Sequence, residues 1–128
     1  TPAEKLAIAA AVGVSETAFV STSAVADFKL DFFTPTRQIA HCGHATIAAF
    51  SYLHQQGLIK GRETSKETID GTRKIRITPA GAAFMEQRAP VFTPIESAEA
   101  VSDILSSLGL LSTDLIPGAP LMKVNTGN

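Results

Sequence analysis

Between Ala45 and Leu53 the chain carries Ala45, Ile47, Ala48, Ala49, Phe50, Tyr52 and Leu53, so a helix over this stretch has almost no polar face. An all-apolar helix belongs inside a domain, wrapped by other elements, and its alanines let neighbouring strands approach closely. Gly57, followed by Leu58, reads as a glycine C-cap with its hydrophobic partner. The other end is different. Cys42-Gly43-His44 offers no Ser, Thr, Asp or Asn, so the first amides lack a side-chain acceptor. The helix dipole favours a carboxylate or phosphate at such an end.

The flanking sequence supplies the wrapping. Thr1-Pro2-Ala3-Glu4 is a capping-box start for a helix carrying Leu6, Ile8, Ala9 and Val12 and stopping at Gly13. A strand is expected at Ala18-Phe19-Val20. Residues 27 to 32 alternate, with Phe28, Leu30 and Phe32 on one face and Asp27, Lys29 and Asp31 on a wet one. Arg62 to Ile69 is polar and expected as an edge strand, turned at Asp70-Gly71 into a return strand with Ile75 and Ile77 inward. After Pro79-Ala80-Gly81 a strand falls within Ala82 to Arg88. Thr93-Pro94-Ile95-Glu96 repeats the capping-box pattern before a helix striped by Val101, Ile104, Leu105 and Leu108 and ended by Gly109. Pro117-Gly118 marks a turn, and Leu121 to Val124 a last strand. The pattern is α+β: an antiparallel or mixed sheet wrapped around a central buried helix, in a single domain over residues 1–128.

A length of 128 residues suits one domain with a real core, and a net charge of −1 without a basic stripe argues against nucleic acid. No apolar run reaches membrane-spanning length, and the single cysteine suits a reducing, cytoplasmic setting. The chain starts at a helix with no strand ahead of it, and Asn125-Thr126-Gly127-Asn128 reads as interrupted. A sheet lacking strands ahead of Thr1 exposes an edge, so self-association is expected.

SETAFV (15–20), FFTP (32–35), CGHATIAA (42–49), AFMEQRAP (83–90) and VNTG (124–127) stand in the order and spacing of one family. The chain resembles the phenazine-biosynthesis (PhzF-like) isomerases, of the diaminopimelate-epimerase fold. That fold has two lobes, each wrapping strands about a central helix, with the site in the cleft between them. The resemblance implies an N-terminal lobe lacking its first strands, completed by a second lobe or a second copy in a homodimer. It also implies an isomerase that moves a proton within a small carboxylate-bearing molecule, with no metal or organic cofactor. Glu16 is then the group that takes and returns the proton, and His44 lies in the same site. A further acid comes from the second lobe, and no position here corresponds to it. Gln38 stands where many members carry an acid. A non-catalytic binding or assembly module retaining the fold is the competing reading.

A loop glutamate is ordinarily solvated, and a shuttle needs its pKa raised, which apolar walls such as Phe19 and Phe33 would supply. A histidine heading a helix is held toward neutrality by the dipole. Gly43, Ala45 and Thr46 are the expected carboxylate contacts through their amides, Thr46 adding its hydroxyl. Cys42 is a further expected substrate contact: a cysteine at the head of this helix is the base in distantly related epimerases, although a lone buried cysteine is ordinarily packing. His41-Cys42-x-His44 matches no standard zinc spacing, so no metal is expected.

Overall fold

The computed structural model describes residues 1–126. The backbone divides into two compact units, one of residues 1–87 and one beginning at Arg88. The first unit runs α1 (Pro2–Val12), β1 (Thr17–Ser21), β2 (Phe28–Phe33), β3 (Gln38–Ile39), α2 (Gly43–Gln55), β4 (Glu63–Thr68), β5 (Gly71–Ile77) and β6 (Ala83–Met85). Its strands form one mixed sheet in the order β1-β2-β4-β5-β6, with β3 also paired to β2. Only β2–β4 is parallel, through Phe28–Lys66 and Lys29–Glu67. The fold class is α+β, as the sequence pattern implies.

The capping box at Thr1 forms, and Gly13 closes α1 at φ 70°. In β2, alternation sends Leu30 and Phe32 into the core against α2, where Phe50, Leu53, Ile75 and Ile77 join them. Phe28 and Phe50 meet edge to face, their centroids 5.7 Å apart. The opposite face of β2 is not simply wet. Lys5 of α1 pairs with Asp31 and sits over the Phe19 ring, and Phe33 is buried beside Phe19.

Helix α2 departs from its expected all-round burial. Ala45, Thr46, Phe50 and Leu53 are buried, while Ala48 is exposed and Tyr52 is 61% exposed. The sheet covers one side of the helix, and β1 is its terminal strand. The helix closes through Gly57 at φ 70°, with the Leu58 amide donating to the Leu53 carbonyl at 3.0 Å. Leu58 itself is exposed, and Ile59 takes the buried position.

Strand β4 is not an edge. It lies between β2 and β5, and its Thr64, Lys66 and Thr68 are buried. Their polar atoms are met locally: Thr64 donates to Asp27, Thr68 to the Gly71 carbonyl, and Lys66 to Thr46. A polar strand is tolerated inside when each group finds a partner.

The second unit comprises β7 (Val91–Pro94), α3 (Ala98–Ser107), a short 3-10 turn at Ser112–Asp114 and β8 (Met122–Asn125), with β7 and β8 an antiparallel ribbon. Thr93 and Pro94 therefore belong to a strand, not a helix start. The cap of α3 is Ser97, which accepts from the Ala100 amide, and Leu105 is its buried residue. Thr93 pairs with Lys123 and Pro94 with Met122, and this pairing with β8 outcompetes the local capping signal. Gly127 and Asn128, the end of the VNTG and interrupted-terminus expectations, lie outside the described residues.

Phe50→Ala should cost about 3–5 kcal/mol in urea unfolding, because the pocket between β2 and α2 cannot collapse around the loss. Lys66 gives a pH-dependent prediction. Burial, then Arg73, pushes its pKa down from 10.5 to about 8. Below about 8 the folded chain carries the buried charge at a cost. Between about 8 and 10.5 the folded chain is neutral there while the unfolded chain still binds the proton, so this group adds stability as pH rises through that window. Lys66→Met should stabilise the protein at pH 7 by roughly 1–3 kcal/mol and remove that alkaline gain. Unfolding curves of both proteins at neutral and alkaline pH check it.

Candidate active site

Three chain segments meet at the head of α2. Glu16 comes from the residue before β1, Cys42 from the turn after β3, and His44 from the first turn of the helix. Glu16 Oε2 lies 3.0 Å from His44 Nε2, with Glu16 22% and His44 73% exposed at the side chain. The approach is off the ring N–H axis, and that carboxylate oxygen, itself shielded from solvent, makes no aligned hydrogen bond among the described residues. Cys42 Sγ lies 3.7 Å from both ring nitrogens. The histidine is thus the open member of the group and the carboxylate the sheltered one.

Cys42 is the N-cap of α2 and provides no side-chain cap bond, as its sequence implies. The Thr46 amide is not an orphan: it donates to the Cys42 carbonyl at 3.1 Å. The Ala45 amide faces the Cys42 sulfur. The Gly43 and His44 amides have no protein acceptor among the described residues. A Cβ added at Gly43 would meet nothing within 4 Å, so the space over these donors is open. An anion here is held by residues 43 and 44, a narrower cradle than the 43–46 expected from sequence.

Thr46 also turns inward. It is fully buried, its hydroxyl donates to the Cys42 carbonyl at 2.7 Å and accepts from Lys66 Nζ at 2.8 Å. That hydroxyl supports the helix head from beneath and does not face the open side.

A cavity of about 530 Å³ runs from Glu16 and His44 between β1 and α2, walled by Ala18, Val20, Ala45, Ala48 and Leu53 and reaching Tyr52. Phe19 and Phe33, expected as the walls beside Glu16, are not among its lining residues. Strand alternation accounts for this: Glu16, Ala18 and Val20 share the α2 side, and Phe19 points to the α1 side under Lys5. The small alanines leave room for a flat apolar group beside the polar head. A second depression, of about 490 Å³, lies over β4–β6; it is lined by Asp27, Ser65, Lys74 and Glu86 among others, and by no histidine or cysteine.

Burial pushes the Cys42 thiol above its ordinary value of 9.0, with the Glu16 charge acting the same way and the Ala45 amide and Lys66 opposing. His41 is pushed down from 6.5, first by burial and then by Lys66 and Arg73. Glu16, Cys42 and His44 have donor atoms within 4.8 Å of one another, the set that a soft cation would use. The His41-Cys42-x-His44 run does not form that set. A thiol held protonated by burial is a poor ligand, since metal binding needs the thiolate.

Lys66 is the residue that sequence reading passes over. The signal available was alternation in Glu63 to Thr68, which puts Thr64, Lys66 and Thr68 on one face and Glu63, Ser65 and Glu67 on the other. One face of that strand holds a cation and no carboxylate.

The profile of the family described as phenazine biosynthesis-like protein matches residues 2–128. An uncharacterized isomerase of Salmonella typhimurium, YddE, is 35% identical over 118 residues, covering 89% of this chain and 39% of the relative. An uncharacterized isomerase of Bacillus subtilis, YfhB, is 30% identical, covering 99% of this chain and 44% of the relative. The crystal structure of a phenazine biosynthesis protein of the PhzF family from Bacillus anthracis superposes with a TM-score of 0.82 at 33% identity, over 100% of this chain and 44% of that one. A predicted epimerase from Pseudomonas aeruginosa shares the fold, with a TM-score of 0.78 at 22% identity. The chain spans less than half the length of these relatives.

Buried and held as the thiol, Cys42 should react with iodoacetamide at pH 8 at least about tenfold more slowly than a free cysteine. Intact-mass measurement over time checks it, and rapid labelling at neutral pH would contradict the burial of Sγ.

Proposed function

The chain belongs to the phenazine biosynthesis-like protein family, and from that premise we propose that it forms one wall of a cofactor-independent isomerase acting on a small carboxylate-bearing molecule. The observation that carries this reading is the 3.0 Å approach of Glu16 to His44 beside two uncapped helix amides. The substrate carboxylate rests on the Gly43 and His44 amides, where the dipole and the free N–H groups favour it. Its apolar body lies along Ala18, Ala45 and Ala48 in the cavity.

Glu16 takes a proton from a carbon conjugated with the carboxyl group. The C–H bond breaks, its electron pair spreads into the conjugated system, and the same proton returns to a different carbon. No atom is gained or lost. His44, within reach of both Glu16 and the open space, donates a hydrogen bond to the charge that develops. Shelter of the Glu16 carboxylate from water keeps the transferred proton from exchanging freely.

Relatives carrying such names are more than twice as long, and a cleft needs an opposite wall. A second lobe, or a second copy of this chain, provides it in this reading. The alternative is a non-catalytic binding or assembly module that retains the fold.

Migration of the double bond in a panel of small cyclic unsaturated carboxylic acids, followed by NMR, tests the chemistry. Glu16→Gln should slow isomerisation by at least about 100-fold, the scale of a lost general base. Undiminished isomerisation would remove Glu16 from the mechanism. Light scattering should show a dimer or larger species that grows with concentration, and a monomer at every concentration would favour the inert module.

A further inference from the structure

Lys66 is 0% exposed, and among the described residues its ammonium has one hydrogen-bond partner, Thr46 Oγ1 at 2.8 Å. The Phe32 ring lies 5.2 Å from it, and no carboxylate forms an ion pair with it among the described residues. The groups facing it are few. From β5 comes Arg73, directly opposite in the strand register and itself paired with Asp70 at 2.6 Å. From the head of α2 come Thr46 and Cys42, and from the turn before it His41, whose titrations register the Lys66 charge. From β2 come Phe28 and Phe32.

Each of these placements is unfavourable alone. A buried ammonium without a counter-ion costs several kcal/mol, on the order seen for unpaired buried charges. Like charges directly opposite on paired strands repel. A cation packed under the first turn of a helix opposes the dipole. An anion at the Gly43 and His44 amides would oppose both the buried Lys66 charge and the positive end of the dipole.

The hydrogen bonds have a direction as well. An ammonium is a donor only, so the Thr46 hydroxyl must accept from it and spend its single proton on the Cys42 carbonyl. That carbonyl also takes the Thr46 amide, so the peptide linking Cys42 to Gly43 is held from two sides. The Gly43 N–H belongs to that peptide. Its aim is set by Lys66 through Thr46.

Resting on the carboxylate-binding reading above, we propose that Lys66 is a positioning residue for the helix head: through Thr46 it fixes the peptide that presents the Gly43 amide, and its buried charge draws the anion to it. Lys66 does not touch the ligand. Its loss of charge on the alkaline side of about 8 then weakens carboxylate binding.

The test uses benzoate as the probe, with the amide NMR signals of Gly43 and His44 read at pH 7 and the Ala45 and Ala48 methyl signals read at pH 7 and at about pH 9.5. The wild-type chain should bind benzoate at pH 7 and lose at least about fivefold in affinity at the higher pH, the scale of one nearby charge in a partly dry site. Lys66→Met, whose folding is checked by unfolding in urea, should bind weakly at both values with no such change. If the variant binds at pH 7 within about twofold of wild type, the range of a negligible charge contribution, Lys66 has no positioning role. A pH dependence that survives in Lys66→Met assigns it to Cys42 and overturns the proposal. If benzoate moves neither amide in the wild type at pH 7, the carboxylate-binding reading falls, and the role of Lys66 with it. If Lys66→Met does not fold, Cys42→Ala decides: the loss of affinity at the higher pH should persist in it, and its disappearance would overturn the proposal.

Discussion

One face of α2 is pressed onto the sheet by Phe50 and Leu53, which meet Leu30 and Phe32 of β2 and Ile75 and Ile77 of β5. Burying side chains of this size contributes about 1.5–3 kcal/mol each, more than any polar contact near the helix head is worth. The core therefore decides the axis of the helix, and the head must accept whatever surroundings that axis gives it. Those surroundings are the residue before β1, the turn after β3, and the buried end of β4. A glutamate, a thiol and a lysine arrive there because a hydrophobic fit elsewhere puts them there.

The departures from ordinary local chemistry gather at this one end. The helix has no side-chain cap, a carboxylate oxygen is sheltered without an aligned donor, and a lysine is buried without a carboxylate. The opposite end of α2 follows the rules, with Gly57 in the left-handed region and the closing amide bonds in place. Consistency at one end and conflict at the other is the pattern of a scaffold that spends stability on a site. The packed core holds the geometry of the polar group at the head.

The cavity beside that head has a different character along its length. Near Glu16 and His44 it is polar, and toward Tyr52 it is lined by alanines and by aliphatic side chains of β1. Ala48 and Tyr52 are exposed on a helix whose sequence asks for burial, and they lie beside the terminal strand of the sheet. That side of the helix is left as an uncovered apolar surface.

Much of this was legible in the residues themselves. The capping box at Thr1, the glycine stops at Gly13, Gly57 and Gly109, the inward Ile75 and Ile77, and the unpaired helix head all depend on neighbours within a few positions. So does the motif order that marks the family. Other features depended on partners far along the chain. Thr93 and Pro94 mimic a helix start, yet pairing with Lys123 and Met122 makes them a strand. Arg62 to Ile69 looks like an exposed edge, yet β2 and β5 flank the strand it forms and Thr46, twenty residues before Lys66, accepts the lysine's hydrogen bond. Phe19 looks like a wall for Glu16, yet strand alternation turns it away. Local sequence determines which groups a segment can satisfy by itself, because caps and turns close within one or two turns of chain. Only tertiary structure decides which long-range partner reaches a buried polar atom, because that depends on how separately formed faces meet.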